Sequence, residues 1–195
     1  TAGTRLLIQE DIYDKFLEMV IEHAKSWKEG HTFGGCSMGA IINQGQLDNI
    51  QRYVKIGKEE GARLVLGGNA TQSETGGFFH DATIFADVDN SMRIAQEEIF
   101  GPVMSVIKFK DEADAIRIAN DSPYGLAGAV WSQNINTALK VAAGVRTGTM
   151  GVNNYFGGDI TVPFGGFKES GNGRDKSLHA MDDYTELKTT WIQLG

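Results

Sequence analysis

The segment Glu97-Glu98-Ile99-Phe100-Gly101-Pro102-Val103 sets adjacent carboxylates, an aromatic ring and a Gly-Pro bend directly ahead of an apolar, β-branched run. Neighbouring glutamates repel, and a helix interior has no use for Phe-Gly-Pro, so the spacing predicts a chain that leaves a helix and turns sharply. A carboxylate can accept hydrogen bonds from both hydroxyls of a ribose, and an aromatic ring can lie against a flat heterocycle. That pairing suits a nicotinamide nucleoside. The same residues also allow a plainer reading, with Glu97 and Glu98 as solvated acids at a helix end and Phe100 in the core.

A second group, Asn153-Asn154-Tyr155-Phe156-Gly157-Gly158-Asp159, follows a predicted strand, and parallel α/β sheets present their binding loops at such ends. It is the best candidate for substrate selection. Asp159 has two readings: one acid beside aromatic side chains would attract a substrate amine, and an aspartate after two glycines suits a turn. Other chemistries are poorly served. His23, His31, His80 and His179 have no metal-ligand spacing to one another or to Cys36, and read as ordinary surface or helix histidines. Ser170 has Lys168 two residues before it, so no nucleophile elbow forms. Gly171-Asn172-Gly173 lacks the third glycine and preceding strand of a dinucleotide fingerprint. Cys36 reads as a small structural residue rather than a reactive thiol.

The elements that must carry these loops alternate along the chain. Leu6 to Ile8 reads as a buried strand, and Ile12, Phe16, Val20, Ala24 and Trp27 recur at helical spacing behind the acidic Glu10 and Asp11. Leu47, Ile50 and Val54 mark a second helix ending near Gly61, followed by the strand Arg63 to Leu66. His31 to Gly39 reads as an irregular loop, and Gly67 to Gly77 as a surface loop. Ala82 to Ala86 is a strand, Ser91 to Glu97 a helical turn, and Val103 to Phe109 a central strand. Asp111 caps a helix with Ala115, Ile116 and Ala119 on its face, stopped by Pro123. Ala127 to Trp131, a helix through Ile135, Ala138, Leu139 and Ala142 closed by Gly144, and the strand Thr147 to Val152 complete the series. Such alternation predicts right-handed crossovers and an α/β fold with a mostly parallel twisted sheet and flanking helices. After a short helix near Asp175 to Met181, Thr185 to Leu194 reads as a long strand that wants a partner.

The bulk properties narrow the function further. A formal charge of -7 and a pI near 5.1 argue against nucleic acid or an anionic membrane as partner and favour a small soluble substrate. No apolar run approaches the ~18 residues that span a bilayer. A single cysteine cannot form an internal disulfide, so a reducing, cytoplasmic setting is expected. The chain opens Thr1-Ala2-Gly3-Thr4-Arg5 without methionine and runs straight into a strand, reading as a piece of a longer protein.

Glu97 to Val103 resembles the signature of the aldehyde dehydrogenase family. So do Ala2-Gly3-Thr4-Arg5, Asn120-Asp121-Ser122-Pro123-Tyr124-Gly125-Leu126 and Pro163-Phe164-Gly165-Gly166-Phe167-Lys168, in that family's order. The resemblance implies NAD (or NADP) as cofactor, with Glu98 on the nicotinamide ribose and Phe100 at the nicotinamide side. It implies an aldehyde substrate, with Thr1, Asn153, Tyr155, Phe156, Asp159 and Phe164 as substrate-site candidates. It also implies a cysteine nucleophile immediately before Thr1, so that no catalytic residue of the thiohemiacetal chemistry is expected in this chain, nor the glycine-rich cofactor turn. The isolated piece is then expected to be inactive. On this reading residues 1–183 are a catalytic domain lacking its cofactor domain, and 184–195 an oligomerisation strand of a homo-dimer or tetramer. Pro163 to Ala180 is similar to bacterial γ-glutamyl-γ-aminobutyraldehyde dehydrogenases, which implies an amino-bearing aldehyde. A non-catalytic folding or assembly module, and an acyl-phosphate-reducing relative of the same fold, remain as alternatives.

Overall fold

A computed structural model describes residues 3–155 and 157–195. It divides into two compact units, residues 1–121 and 122–195. Thr1 and Phe156, both substrate-site candidates, lie outside the described residues.

The first unit contains β1 (Arg5–Gln9), α1 (Tyr13–Lys25), α2 (Gln44–Glu59), β2 (Arg63–Leu66), β3 (Ala70–Thr71), β4 (Phe79–His80), β5 (Thr83–Ala86), α3 (Arg93–Gln96), β6 (Val103–Phe109) and α4 (Glu112–Asn120). Four strands form one sheet in the order β1-β6-β5-β2. β6 is central and runs parallel to β1 and β5, as its β-branched content predicts, while β2 is an antiparallel edge with a register shift between Leu64 and Leu66. The mainly parallel sheet with helices on its faces agrees with the expected class. The period of two along β5 and β6 divides the core. Ile84, Ala86 and Val106 pack with Ile8, Tyr13 and Leu17 of the α1 side, whereas Phe85, Val103 and Ile107 pack with Ile50, Tyr53, Val54 and Ile94 of the α2 and α3 side. Each of the Val, Leu, Ile and Phe side chains among them contributes about 1.5–3 kcal/mol by burial.

Helix ends follow their caps. Asp111 accepts from the Asp114 backbone N–H at 2.9 Å, as its type predicts, and Asn43 does the same for Gln46 at 2.9 Å at the start of α2. Gly61 closes the region after α2 with φ +94°. Arg5 ties β1 to the end of α4, donating to the carbonyls of Ile118 (3.0 Å) and Ala119 (2.9 Å) and to Asn90 Oδ1 at 2.7 Å. Asn90 in turn donates to the Asp121 carbonyl at 2.7 Å.

Several expected faces are corrected. In α1 the buried residues are Tyr13 and Leu17, with Val20, Ile21 and Ala24 packed behind, while Ile12, Phe16 and Trp27 are exposed. The helix carries two apolar stripes; Tyr13 wins because its ring is buried and its hydroxyl accepts from the Asp87 N–H at 2.9 Å. In α4 the buried side chain is Ile118, not the expected trio. The glycine-rich Gly67 to Gly77 holds β3, which pairs with β4 as a small hairpin. His80, expected at a surface, is only 2% exposed; its Nδ1 lies 2.8 Å from the Asp81 carbonyl.

The second unit contains β7 (Tyr124–Gly125), β8 (Ala127–Val130), α5 (Ile135–Gly144), β9 (Thr149–Val152) and β10 (Phe167–Lys168). β8 and β9 are parallel, connected through α5, whose Asn134 cap accepts from Asn136 N–H at 3.0 Å. Ala138 and Val141 are its buried residues, and the expected Ile135 and Leu139 are exposed. β7 and β10 pair antiparallel and stitch two of the recognised motifs together. Lys168 Nζ donates to the Ser122 carbonyl at 2.9 Å, and Gly125 N–H donates to Ser170 Oγ at 3.0 Å. A Cβ at Gly148 would fall on the Gly165 carbonyl, so that crossing requires glycine. The expected short helix is a 3-10 turn at Leu178–Tyr184. Residues 185–195 form no ladder within the described chain, and Leu187, Trp191, Ile192 and Leu194 are exposed. A strand exists only against a neighbour, and the described residues supply none.

Among the described residues no helix is long and apolar enough to cross a membrane, and no group of three or more His, Cys, Asp or Glu side chains is placed to hold a metal. Cys36 donates to the Gly30 carbonyl at 3.2 Å within its loop.

Candidate functional site

The carboxylates of Glu97 and Glu98 are treated in opposite ways. Glu97 leaves the single turn of α3 in an extended conformation, and its carboxylate is consumed internally. Arg93 donates to both of its oxygens, Nε to Oε1 at 2.7 Å and Nη2 to Oε2 at 2.9 Å, and the Tyr53 hydroxyl donates to Oε2 at 2.6 Å. The Arg93 bonds first, then that of Tyr53, hold the Glu97 carboxyl down at about 2. The Tyr53 hydroxyl is pushed up, chiefly by burial and then by its bond to Glu97. Glu98 is exposed and makes no hydrogen bond or ion pair among the described residues. One carboxylate is therefore structural and the other is free to accept from a ligand.

The following residues alternate just as sharply. Ile99 is buried in the core beside Ile50 and Ile94, while Phe100 turns its ring outward, 72% exposed, on a backbone at φ +54°. A bulky residue in the left-handed region is uncommon and costs about 1–2 kcal/mol. Three hydrogen bonds from two side chains of α2 hold that conformation: Gln46 Nε2 reaches the Ile99 and Phe100 carbonyls, both at 2.9 Å, and Asn49 Nδ2 reaches the Ile99 carbonyl at 3.3 Å. Gly101 then presses against α2, where a Cβ would come within 2.5 Å of Ile50. Any side chain there would push the loop off the helix.

The second unit carries the other candidates. Asn153, at φ +53°, spends its amide on the backbone of Ser132, accepting from the N–H at 2.9 Å and donating to the carbonyl at 3.1 Å. This side chain fastens the loop after β9 to the loop after β8. Tyr155 is partly buried, and burial raises its hydroxyl pKa. Asp159 is exposed, and its Oδ1 accepts from the Thr161 N–H at 2.7 Å and hydroxyl at 2.6 Å, bonds that lower its pKa. That is a turn-forming geometry. Phe164 exchanges backbone hydrogen bonds with Asp175 at 2.8 and 2.7 Å, and Lys176 Nζ sits 5.5 Å from its ring centre.

Tyr53, Arg93, Gln46 and Asn49 were not foreseen. Arg93 and Glu97 stand at i and i+4, a pairing visible in sequence once the turn is placed. Gln46 and Asn49 are three apart on one face of α2. Nothing local marks Tyr53, 44 residues before its partner.

Comparison with known proteins bears on this geometry. The chain is 45% identical over 194 residues to the NADP/NAD-dependent aldehyde dehydrogenase PuuC of Escherichia coli (strain K12), and 42% identical over 196 residues to human retinaldehyde dehydrogenase 3. Those alignments cover 99–100% of this chain but only 38% of either relative, so the chain spans well under half the length of the curated relatives it matches. Among solved structures, P. syringae AldA indole-3-acetaldehyde dehydrogenase, in complex with NAD+ and IAA, superposes with a TM-score of 0.95 at 54% identity, covering 99% of this chain and 39% of that one. KauB, an aldehyde dehydrogenase of Pseudomonas aeruginosa, does so with a TM-score of 0.95 at 55% identity, covering 100% and 39%. The aldehyde dehydrogenase family model matches residues 1–190, nearly the whole chain. The loop at Glu97 to Gly101 lies within that matched stretch, and the chain belongs to the aldehyde dehydrogenase family.

Proposed function

We propose that the whole protein is an NAD(P)-dependent aldehyde dehydrogenase, oxidising an aldehyde to a carboxylic acid, and that this chain supplies one wall of its nicotinamide site. The carrying observation is the loop itself: Glu98 has an exposed carboxylate with no hydrogen-bond or ion-pair partner among the described residues, and Phe100 is held in a strained conformation with its ring outward. These residues fit a nicotinamide riboside, since an unspent carboxylate can accept from paired hydroxyls and a ring can bear on a flat heterocycle. When bound, the dinucleotide supplies the two-electron acceptor. Glu98 would hold the ribose, Phe100 would limit where the nicotinamide ring rests, and neither would exchange a proton.

Tyr155 and Phe164 remain the proposed apolar lining for the substrate, and Asn153 is proposed to act by fixing its loop to Ser132. The substrate is proposed as an aldehyde by class. Relatives named for indole-3-acetaldehyde, retinaldehyde and betaine aldehyde share 54%, 42% and 41% identity with this chain, which favours no single compound. Residues 184–195 are proposed to pair with a strand from outside this chain in a homo-oligomer, which would cover the exposed Trp191 and Leu194.

The ribose role is tested with Glu98→Gln in the whole protein. Losing charged hydrogen bonds to two hydroxyls should weaken NAD+ binding about 10-fold or more. The unfolding midpoint should stay unchanged, because among the described residues Glu98 has no hydrogen-bond or ion-pair partner to lose. An unaltered NAD+ dissociation constant would refute the role.

A further inference from the structure

We propose that Tyr53, Arg93 and Glu97 form a positioning clamp that fixes the nicotinamide-binding loop, making the buried Tyr53 of α2 a determinant of nucleotide affinity. This rests on the reading of Glu98 and Phe100 above. Helix α3 is one turn long. So short a helix cannot hold itself in water, so its direction must come from tertiary anchors. Its N-terminal side is anchored by the Arg93 N–H, which donates to Glu60 Oε2 at 2.9 Å, and by Ser105 Oγ, which donates to the Ile94 carbonyl at 2.9 Å. Its exit is anchored at Glu97 by the Arg93 fork and the Tyr53 hydroxyl.

Glu98 lies between that anchor and the next one, the Gln46 and Asn49 grip on the carbonyls of Ile99 and Phe100. Its side chain makes no hydrogen bond or ion pair among the described residues, yet the residues on both sides of it are fixed to α2. A carboxylate that must meet two hydroxyls at once tolerates little displacement, so loosening either anchor lowers affinity without removing a ligand contact. Tyr53 suits this task. Its ring is packed in the core with Ile50 and Val54, and the guanidinium of Arg52 stands 4.6 Å from the ring centre, so the hydroxyl is aimed by a rigid frame. Arg93 also reaches over the ring, at 5.9 Å, which links the two donors to Glu97.

The test is Tyr53→Phe in the whole protein, which removes the hydroxyl and keeps the ring. NAD+ titration and steady-state kinetics at saturating aldehyde should show the NAD+ dissociation constant and KM rising about 3- to 10-fold, with kcat at saturating NAD+ changed less than about 2-fold. A purely structural tyrosine would lower the unfolding midpoint and leave the dissociation constant alone; that result overturns the clamp, as does a fall confined to kcat. Glu98→Gln run in parallel separates the two readings. A weakened Glu98→Gln beside an unaffected Tyr53→Phe removes the clamp and keeps the ribose role. The reverse pattern keeps the clamp and shifts its purpose to Phe100. If Tyr53→Phe does not fold, Arg93→Met breaks the clamp from the solvent side, and an unchanged NAD+ dissociation constant there overturns the proposal equally.

Discussion

Phe100 offers a way to separate what a residue costs the fold from what it gives the ligand. With φ at +54° the backbone carries a penalty of about 1–2 kcal/mol for any residue with a Cβ. Its ring is 72% exposed, so roughly a quarter of a ~200 Å² side chain is in contact, worth about 1 kcal/mol at ~25 cal/mol per Å². Phe100→Ala removes the ring contact and keeps the backbone penalty. Phe100→Gly removes both, and gives back about 0.5–1 kcal/mol through the greater freedom of glycine in the unfolded chain. The glycine variant should therefore be more stable than the alanine variant by about 0.5–1 kcal/mol, against the usual order of these residues. Both should bind NAD+ more weakly and to the same extent. The assay is thermal unfolding of the two variants in the whole protein at equal concentration without ligand, followed by NAD+ titration. An alanine variant equal to or more stable than the glycine variant would refute the strained-backbone argument, whatever happens to binding.

Glu97 carries a pH signature. Its carboxyl is held at about 2 against an ordinary 4.5, so the charged form is favoured by the fold; the stability it contributes is present above pH 4.5 and is lost as pH falls toward 2. Taken at face value the displacement is roughly 3 kcal/mol, but the side chain is 38% exposed and solvent screening reduces this to about 1 kcal/mol. Wild type should exceed Glu97→Gln by that amount at pH 7 and converge with it by about pH 2–3 in urea unfolding; a gap independent of pH would exclude the carboxylate as the cause. The tail gives an assembly prediction. Deleting residues 185–195 from the whole protein should lower its sedimentation-velocity mass to a smaller species, and an unchanged mass would show that the exposed Trp191 and Leu194 are not what joins the copies.

Much of the fold was readable because burial follows local pattern. The β-branched run Val103 to Phe109 marked the central strand, and Asp111 marked a helix start by its type. Readability failed where two patterns competed or where elements are too short for a period. α1 bears one apolar stripe through Ile12 and Phe16 and another through Tyr13 and Leu17, and only the Tyr13 to Asp87 bond and its packing decide between them. The β3–β4 hairpin has two residues per strand, so His80 gave no warning of burial. At the site, the motif pointed to Glu98 and Phe100, and the structure adds the reason they stand out: their neighbours are spent elsewhere. The partners that spend them, Tyr53 and Gln46, are set by tertiary geometry that no local spacing records.

The alternation along Glu97 to Gly101 has a consequence for how such a loop can change over time. Glu97 is fastened, Glu98 free, Ile99 sunk, Phe100 outward and Gly101 flush against Ile50. Replacing Glu98 or Phe100 alters what the loop offers while the loop itself stands. Inserting or deleting one residue would shift every role by a place: an insertion buries an acid where Ile99 belongs, and either change sets a side chain where only Gly101 fits. The length of this segment is thus more tightly constrained than the identity of its two presented residues. On the proposed nicotinamide role, nucleotide affinity is open to point substitution at Glu98 and Phe100 and closed to grafts of a different length.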